Sequence, residues 1–351
     1  MFFSNKQLLG LDLGSYLIKA ARIQKKRGKY YLKKFGFIQI PVNTVVDGSI
    51  MNTYEMNDAI KTLLARERLK DRYCSICIAG HGIINRTINV PKVGTEEFYN
   101  ALKVEAETHI PHDIKEIYFD GLKTDIVEDG RDRVILIAAR KDLVGDFIQV
   151  VSDAGVKPMS VEIDSTALAN IFEVNYPEEK DNTVAILNIG ASKINVVIIS
   201  NGSVRFFRDV LTGGNYITEE ITRRLKVSFQ QAESLKSGSH TTGDSILPNQ
   251  VEEVVADVAK NMVADVSRVF DYYTNTNPED GVKKVFITGG TTRSHTFTQT
   301  LSSSLEIPVE KLNPFKEIIV PGQVLSREEV EDFGHIASVS LGLALRRIDE
   351  A

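Results

Sequence analysis

Apolar and polar positions along the chain fall into two matching patterns, one around residue 12 and one around residue 188. In Leu11-Asp12-Leu13-Gly14-Ser15 and in Leu187-Asn188-Ile189-Gly190-Ala191, an apolar run meets one polar residue and then a glycine turn. A second apolar run follows each, over 17–21 and 194–199, and a further turn closes it, Lys26-Arg27-Gly28 in one copy and Asn201-Gly202 in the other. Both copies therefore predict strand, tight turn, strand, and the chain reads as two related halves. In the first half the pattern predicts strands over 8–13, 16–24 and 30–39. A helix over 56–67, with Ala59, Ile60, Leu63 and Leu64 on one face, and a strand over 73–79 follow.

A block of different texture comes next. A strand over 86–91 ends in Pro91, and a helix from Thr95 to His109 is stopped by Ile110-Pro111. Strands over 119–126 and 134–139 pair across the turn at 128–132, and a helix over 143–153 ends at Gly155. Residues of roughly 85–160 read as a small α/β insertion. A crossover helix is expected over 165–174, and the second half begins near Asn182. Thr212-Gly213-Gly214-Asn215 opens one long helical stretch through Lys236. The Ser-, Thr- and Gly-rich segment 237–249 is expected as a mobile loop, and helix resumes over 251–275 with an apolar stripe through Val254, Val258, Met262, Val266 and Val269. The buried run 285–288 enters Gly289-Gly290, and a final helix is expected over 334–348.

Composition narrows the class. The chain has 351 residues, 42% hydrophobic and 25% charged, enough for two domains with their own cores. Its 47 acidic and 42 basic residues leave a net charge of -5 with no long single-sign run, which does not suggest a nucleic-acid partner. The start, Met1-Phe2-Phe3-Ser4-Asn5-Lys6-Gln7, turns polar too early for a secretory segment, and no apolar run approaches the roughly 20 residues of a membrane helix. Cytoplasmic residence is the expectation, with attachment to a membrane through a partner left open. The two cysteines, Cys74 and Cys77, form a CxxC inside a strand pattern with no second pair to complete a zinc site, and are read as reduced structural residues. Glu105 and His109 are an i,i+4 pair on a helix, but only His112, beyond Pro111, offers a third ligand, so no metal site is expected there.

The glycine turns carry the candidate chemistry. A turn without Cβ lets backbone N–H groups approach a phosphate, and two such turns facing each other can clamp a polyphosphate from both sides. Gly14 and Ser15 would donate from one side, and Gly190, Ala191 and Ser192 from the other. Asp12 is the candidate for a divalent ion, directly or through water, since Mg²⁺ prefers carboxylate and phosphate oxygens. Gly289 and Gly290, at a strand's end, would let a ribose and α-phosphate lie against bare backbone.

The order of first phosphate turn, inserted block, second phosphate turn, Gly-Gly-Asn helix and Thr-Gly-Gly turn resembles the actin-like ATPases related to the cell-division protein FtsA. Among these the chain looks most like the PilM family of type IV pilus assembly proteins. The likeness lies in Gly10-Leu11-Asp12-Leu13-Gly14-Ser15 with Lys19, Arg86-Thr87-Ile88-Asn89-Val90-Pro91, and Glu105-Ala106-Glu107-Thr108-His109-Ile110-Pro111. Tyr118-Phe119-Asp120 and Asp153-Ala154-Gly155-Val156-Lys157-Pro158 add to it, and the resemblance covers nearly the whole chain. It implies an α/β, ribonuclease-H-like duplicated fold of two domains with an FtsA-type insertion. The implied division is 1–84 and 163–182 for the first half-domain, 85–162 for the insertion, 183–222 and 276–335 for the second half-domain, 223–275 for its subdomain, and 336–351 for a terminal helix.

The resemblance also implies ATP, with Mg²⁺, bound between the domains, and a place peripheral to the inner membrane through a partner. That partner is the short N-terminal cytoplasmic segment of a PilN-like membrane protein, held beside the insertion near Ile83, Ile84, Arg86, Ile88, Val90 and Val104; ordinary core is the competing account of those apolar positions. Gly214, Asn215, Glu219, Lys236 and Thr291 fall where the family contacts base and ribose, with surface ion pairing the alternative for Glu219 and Lys236. Lys19 reaches phosphate or is a solvated strand residue. Actin-like ATPases usually carry Asp where this chain has Asn188, and an amide supplies neither charge nor a proton acceptor. Binding with slow or negligible hydrolysis is therefore expected, the nucleotide acting as a structural or switching ligand. Asp164 falls where the superfamily faces the attacking water, or it is a helix N-cap. An FtsA-like division protein, and a small-molecule kinase on the same fold, are the alternatives. FtsA carries a linker and a C-terminal amphipathic membrane helix, for which 346–351 offers no candidate.

Overall fold

The computed structural model describes residues 7–80, 82–238 and 247–348. The first apolar run is β1 (Leu9–Leu13), buried along its length, followed by β2 (Leu17–Lys26) and β3 (Lys29–Gln39) as an antiparallel meander. A short hairpin, β4 (Val45–Val46) and β5 (Ser49–Ile50), leads to α1 (Thr53–Arg66), whose N-terminus is capped by Asn52 accepting from the Glu55 N–H. The cysteine strand β6 (Tyr73–Ile78) then lies parallel to β1.

The insertion is a three-stranded antiparallel sheet. It is formed by β7 (Ile83–Pro91), β8 (Ile117–Glu128) and β9 (Arg131–Arg140), with β9 in the middle, and helix α2 (Thr95–His109) covers one face. Leu102 and Ala106 of α2 bury Ile88, Val90, Val134 and Leu136 beneath them. The expected boundary at residue 162 does not hold, because α3 (Lys141–Asp153) packs Phe147 and Val151 into the first core and β10 (Lys157–Ile163) pairs parallel with β6. Residues 141–163 thus belong with the first sheet, completed by α4 (Asp164–Asn175).

The second half repeats the plan with β11 (Val184–Ile189), β12 (Ile194–Ser200) and β13 (Ser203–Val210), again an antiparallel meander. Helices α5 (Gly214–Leu225), α6 (Phe229–Lys236) and α7 (Pro248–Thr276) follow, then β14 (Lys284–Thr288) parallel to β11. The continuous helix expected through Lys236 is broken. Lys226 turns left-handed at φ 58° and Ser228 restarts the helix in a capping box with Gln231, a local signal stronger than the apolar spacing around it. Of the segment expected as a mobile loop, 239–246 lies outside the described residues. After α8 (His295–Ser304) and β15 (Val309–Lys311), the strand β16 (Ile318–Ile319) returns to the first sheet beside β3, giving strand orders β10-β6-β1-β2-β3-β16 and β13-β12-β11-β14-β15.

The terminal helix α9 is Arg327–Ala344, not 334–348. Ser326 and Glu329 form a capping box that starts it earlier, and beyond it the chain pairs with Leu8 through the Arg346 carbonyl at 2.8 Å. Helix α9 seats against β1 and α4 at backbone contact. A Cβ on Gly10 would lie 2.0 Å from the Ser340 carbonyl oxygen, and one on Gly342 would lie 1.9 Å from that of Ala167. Gly342→Ala is therefore expected to lower stability in denaturant by about 3 kcal/mol or more. Gly145→Ala, on the exposed side of α3 with nothing within 4 Å, should raise it by about 0.5–1 kcal/mol.

Candidate functional site

The duplicated meanders bring the two glycine turns face to face. Ser15 of the first donates its hydroxyl to that of Ser192 in the second at 3.1 Å, across the gap between the halves. The first turn admits only glycine, since a Cβ on Gly14 would meet the Leu17 carbonyl oxygen at 2.8 Å; at the second, a Cβ on Gly190 would meet that of Lys193 at 3.2 Å, and it is Gly213 behind the turn that excludes one, at 2.6 Å from the Ala191 carbonyl oxygen. The third turn leaves β14 at Gly289, whose φ of 98° and approach to the Ile189 backbone exclude a side chain. Gly290 differs: it is exposed, and a Cβ placed on it would find its nearest atom in a methyl of Ile336 at 3.8 Å, so packing alone does not require glycine there.

Together the turns line a cleft of about 420 Å³. Asp12, Gly14, Ser15, Lys19, Asn188, Gly190, Ala191, Ser192, Asn215, Lys236, Gly289, Gly290, Thr291 and Asp164 all line it. Two do not. Gly214 is buried behind the wall, where its carbonyl accepts from Lys236 at 3.1 Å and a side chain would collide with Thr291. Glu219 is exposed on α5 and away from the cleft; the acidic residue that lines it is Glu233, on α6, paired with Lys236 and Thr218.

Three acidic side chains that line the cleft, Asp12, Asp164 and Glu233, are each paired with a lysine. The Lys19 ammonium lies 2.8 Å from Asp12, so this lysine is not a solvated strand residue; it lines the cleft with one of its three donors held by the carboxylate. Burial raises the Asp12 carboxyl, and Lys19 opposes that. Asp164 is the first residue of α4 and does not cap it, since the N-cap is Ile163. Its carboxylate lies 3.0 Å from the Lys193 ammonium, which sits 2.7 Å from Asp209. Burial pushes Asp164 upward, but Lys193 and a hydrogen bond from the Cys77 thiol outweigh it and hold the carboxyl below its ordinary value. Asp209 also accepts from Asn195 at 2.6 Å, and Asn195 accepts from Asn188 at 3.0 Å, so the amide at the second turn is tied into this network.

Lys193, Asn195, Asp209 and Glu233 were not singled out from sequence. The one legible signal was Asn195, a polar residue in an otherwise apolar strand; Asp209 meets it only because β12 and β13 pair in register at that point. The cysteines are buried and free, as expected, but Cys77 lines the cleft floor with its sulfur 4.0 Å from Asp12. Burial pushes the Cys74 thiol up to about 12 and that of Cys77 well above the ordinary range, so both stay protonated. Asp12, the residue expected near a divalent ion, is ion-paired with Lys19, and among the described residues no group of three His, Cys, Asp or Glu is arranged to hold a metal ion by itself. Glu105 and His109 lie 3.9 Å apart on α2. Near the insertion, Ile88 and Val90 are buried core beneath α2, Ile83 and Ile84 are half-buried, and Arg86 and Val104 are exposed.

His335 flanks the third turn, its carbonyl accepting from the Gly289 N–H at 2.6 Å. Burial, with Arg293 and Lys311 nearby, lowers its pKa to about 4. A folded value below the unfolded one of about 6.5 means that its contribution is complete above pH 6.5 and is lost as the pH falls toward 4. His335→Gln is expected to reduce the drop in unfolding free energy between pH 7 and pH 5 by up to about 2 kcal/mol, read from denaturant curves at both values.

Comparison with known proteins places this geometry. The family model for the type IV pilus assembly protein PilM matches residues 10–348. The cell division protein FtsA of Streptococcus pneumoniae is 23% identical over 252 residues, 65% of this chain and 54% of FtsA. FtsA of Bacillus subtilis is 20% identical over 190 residues, 50% of this chain and 42% of FtsA. The chain thus spans about half the length of these curated relatives. Among solved structures, a chain of a PilM-PilN type IV pilus biogenesis complex superposes with a TM-score of 0.86 at 23% identity, covering 97% of this chain and 98% of that one. The ethanolamine utilization protein EutJ of Carboxydothermus hydrogenoformans gives 0.55 at 18% identity, over 96% and 89%. The two-sheet arrangement is the duplicated fold of the actin-like ATPases. No helix among the described residues is long and apolar enough to cross a membrane.

Proposed function

Since the chain belongs to the PilM family of type IV pilus assembly proteins, we propose that it is a nucleotide-binding scaffold of pilus assembly, holding ATP between its halves and a PilN-like peptide at its insertion. The observation that carries the nucleotide part is Gly290, bare and exposed at the end of β14 where nothing in the protein needs it bare, on the same cleft as the two facing turns. Phosphates would lie between Gly14-Ser15 and Gly190-Ala191-Ser192, and the nucleoside against Gly289-Gly290, with Glu233 and Lys236 beside it. An organic polyphosphate fits a cleft of about 420 Å³.

The partner reading rests on the insertion. A PilM chain of the same fold is found with PilN. Here β7 pairs with β9 on one side and with no strand on the other among the described residues, an edge that an extended peptide can extend by backbone hydrogen bonds. Ile83, Ile84 and Arg86 would touch such a peptide, while Ile88 and Val90 support the strand from beneath. Through this partner the protein would sit peripheral to the inner membrane. The FtsA-like alternative is not favoured, because the PilM family match spans 10–348 whereas the FtsA matches are partial.

Titration calorimetry with ATP and ADP in Mg²⁺ tests the cleft. Gly290→Val should weaken binding about ten-fold or more with an unchanged melting temperature, and equal affinity in both proteins would move the nucleotide elsewhere. Anisotropy of a labelled PilN N-terminal peptide tests the edge: Ile84→Asp should weaken it by at least about ten-fold while nucleotide affinity is kept. Turnover is expected to stay below about 1 s⁻¹.

A further inference from the structure

Lys193 stands where the two halves meet the cleft floor, and its environment is built around its charge. Its backbone is locked in the second turn, the carbonyl accepting from the Gly190 N–H at 2.9 Å. From there the side chain crosses to Asp164, at the start of α4 in the first half, at 3.0 Å, and to Asp209 on β13 at 2.7 Å. Asp209 is braced in turn by Asn195 and, behind it, Asn188. All three charged side chains are mostly buried, so the ammonium cannot leave the carboxylates for water without leaving both charges unpaired in a site of low polarity.

We infer that Lys193 is a clamp that suppresses hydrolysis of the bound nucleotide by occupying Asp164, a buried carboxylate on the cleft lining that would otherwise be open to accept a proton from water. This rests on the nucleotide reading above. Attack on a nucleoside triphosphate needs a base. The water oxygen bonds to the γ-phosphorus, its proton passes to the carboxylate, and the bond from that phosphorus to the β–γ bridging oxygen breaks with its electron pair, releasing nucleoside diphosphate and inorganic phosphate. A carboxylate accepting from an ammonium and a thiol, as Asp164 does from Lys193 and Cys77, is a poor proton acceptor. The groups facing it from every side are Asp12 on β1, Lys19 on β2, Cys77 on β6 and Lys193; only Lys193 is bonded to it with opposite charge. Removing that cation leaves Asp164 buried near Asp12, conditions that raise its basicity toward the working range. Asn188 then acts as a brace for the clamp, through Asn195 and Asp209, and not as the sole reason for slow turnover.

The test is phosphate release from ATP in Mg²⁺ by the full chain, with nucleotide affinity measured beside it. Lys193→Ala and Lys193→Met should release phosphate at least about ten-fold faster than the unsubstituted protein, with a rate that climbs as the pH rises through the titration of Asp164. Adding Asp164→Asn should abolish both the gain and the pH dependence, and Lys193→Arg, which keeps a cation between the carboxylates, should stay well below the Lys193→Ala rate. A merely structural lysine would shift melting temperature without producing that pH profile. Unchanged release from variants that still bind nucleotide would overturn the inference alone, as would loss of binding in both variants, which would make Lys193 a phosphate ligand. No nucleotide binding by the unsubstituted chain would remove both readings.

Discussion

The structure depends on the backbone contact between helix α9 and the first half. Gly10 on β1 and Gly342 on α9 let the helix approach β1 and α4 so closely that a methyl group at either position would overlap a carbonyl oxygen. The same helix, two turns earlier, accepts the Gly289 N–H and the Thr288 hydroxyl on the carbonyl of His335. One rigid rod therefore holds the third glycine turn of the second half and the strand that carries Asp12 in the first. The distance across the cleft is set by that rod and by the crossing of β16 into the first sheet. Close packing leaves little slack: an interior this dense transmits a displacement instead of absorbing it.

Within that frame the cleft floor is an arrangement of opposed charges. Asp12 with Lys19, and Asp164 and Asp209 with Lys193, are buried pairs whose partners come from different strands and, for Lys193, from different halves. Burying such charges costs free energy that the pairing only offsets, so their presence points to function more than to stability. With these lysines paired to carboxylates, the Ser15 and Ser192 hydroxyls that meet across the gap are uncharged donors on the same cleft.

The insertion joins the halves a second time, away from the glycine turns. Arg205 of β13 pairs with Asp125 of β8 at 2.6 Å, Arg133 of β9 donates to Asn277 at 3.3 Å beyond α7, and Asn85 of β7 donates to the Phe207 carbonyl at 3.2 Å. A partner seated on β7 would thus be read by residues that also contact the second half. The insertion and the second half are tied at three strands, so a displacement of one bears on the other.

The sequence by itself determined the duplication, the three glycine turns and their order, because a tight turn between apolar strands demands glycine locally and apolar alternation demands strand. It also determined the insertion's helix, Thr95–His109, whose polar first turn and following Pro111 mark both ends. Strand β13 and helix α8 were not anticipated, the first because its alternation is interrupted by charged residues at Arg205, Arg208 and Asp209. Only the tertiary structure decided that Asp164 answers to Lys193 instead of capping its helix, that Glu233 and not Glu219 lines the cleft, and that 141–163 returns to the first sheet. Each of these depends on which strand lies beside which and in what register, and a side chain's partner across a gap between two halves leaves no trace in the residues next to it in sequence.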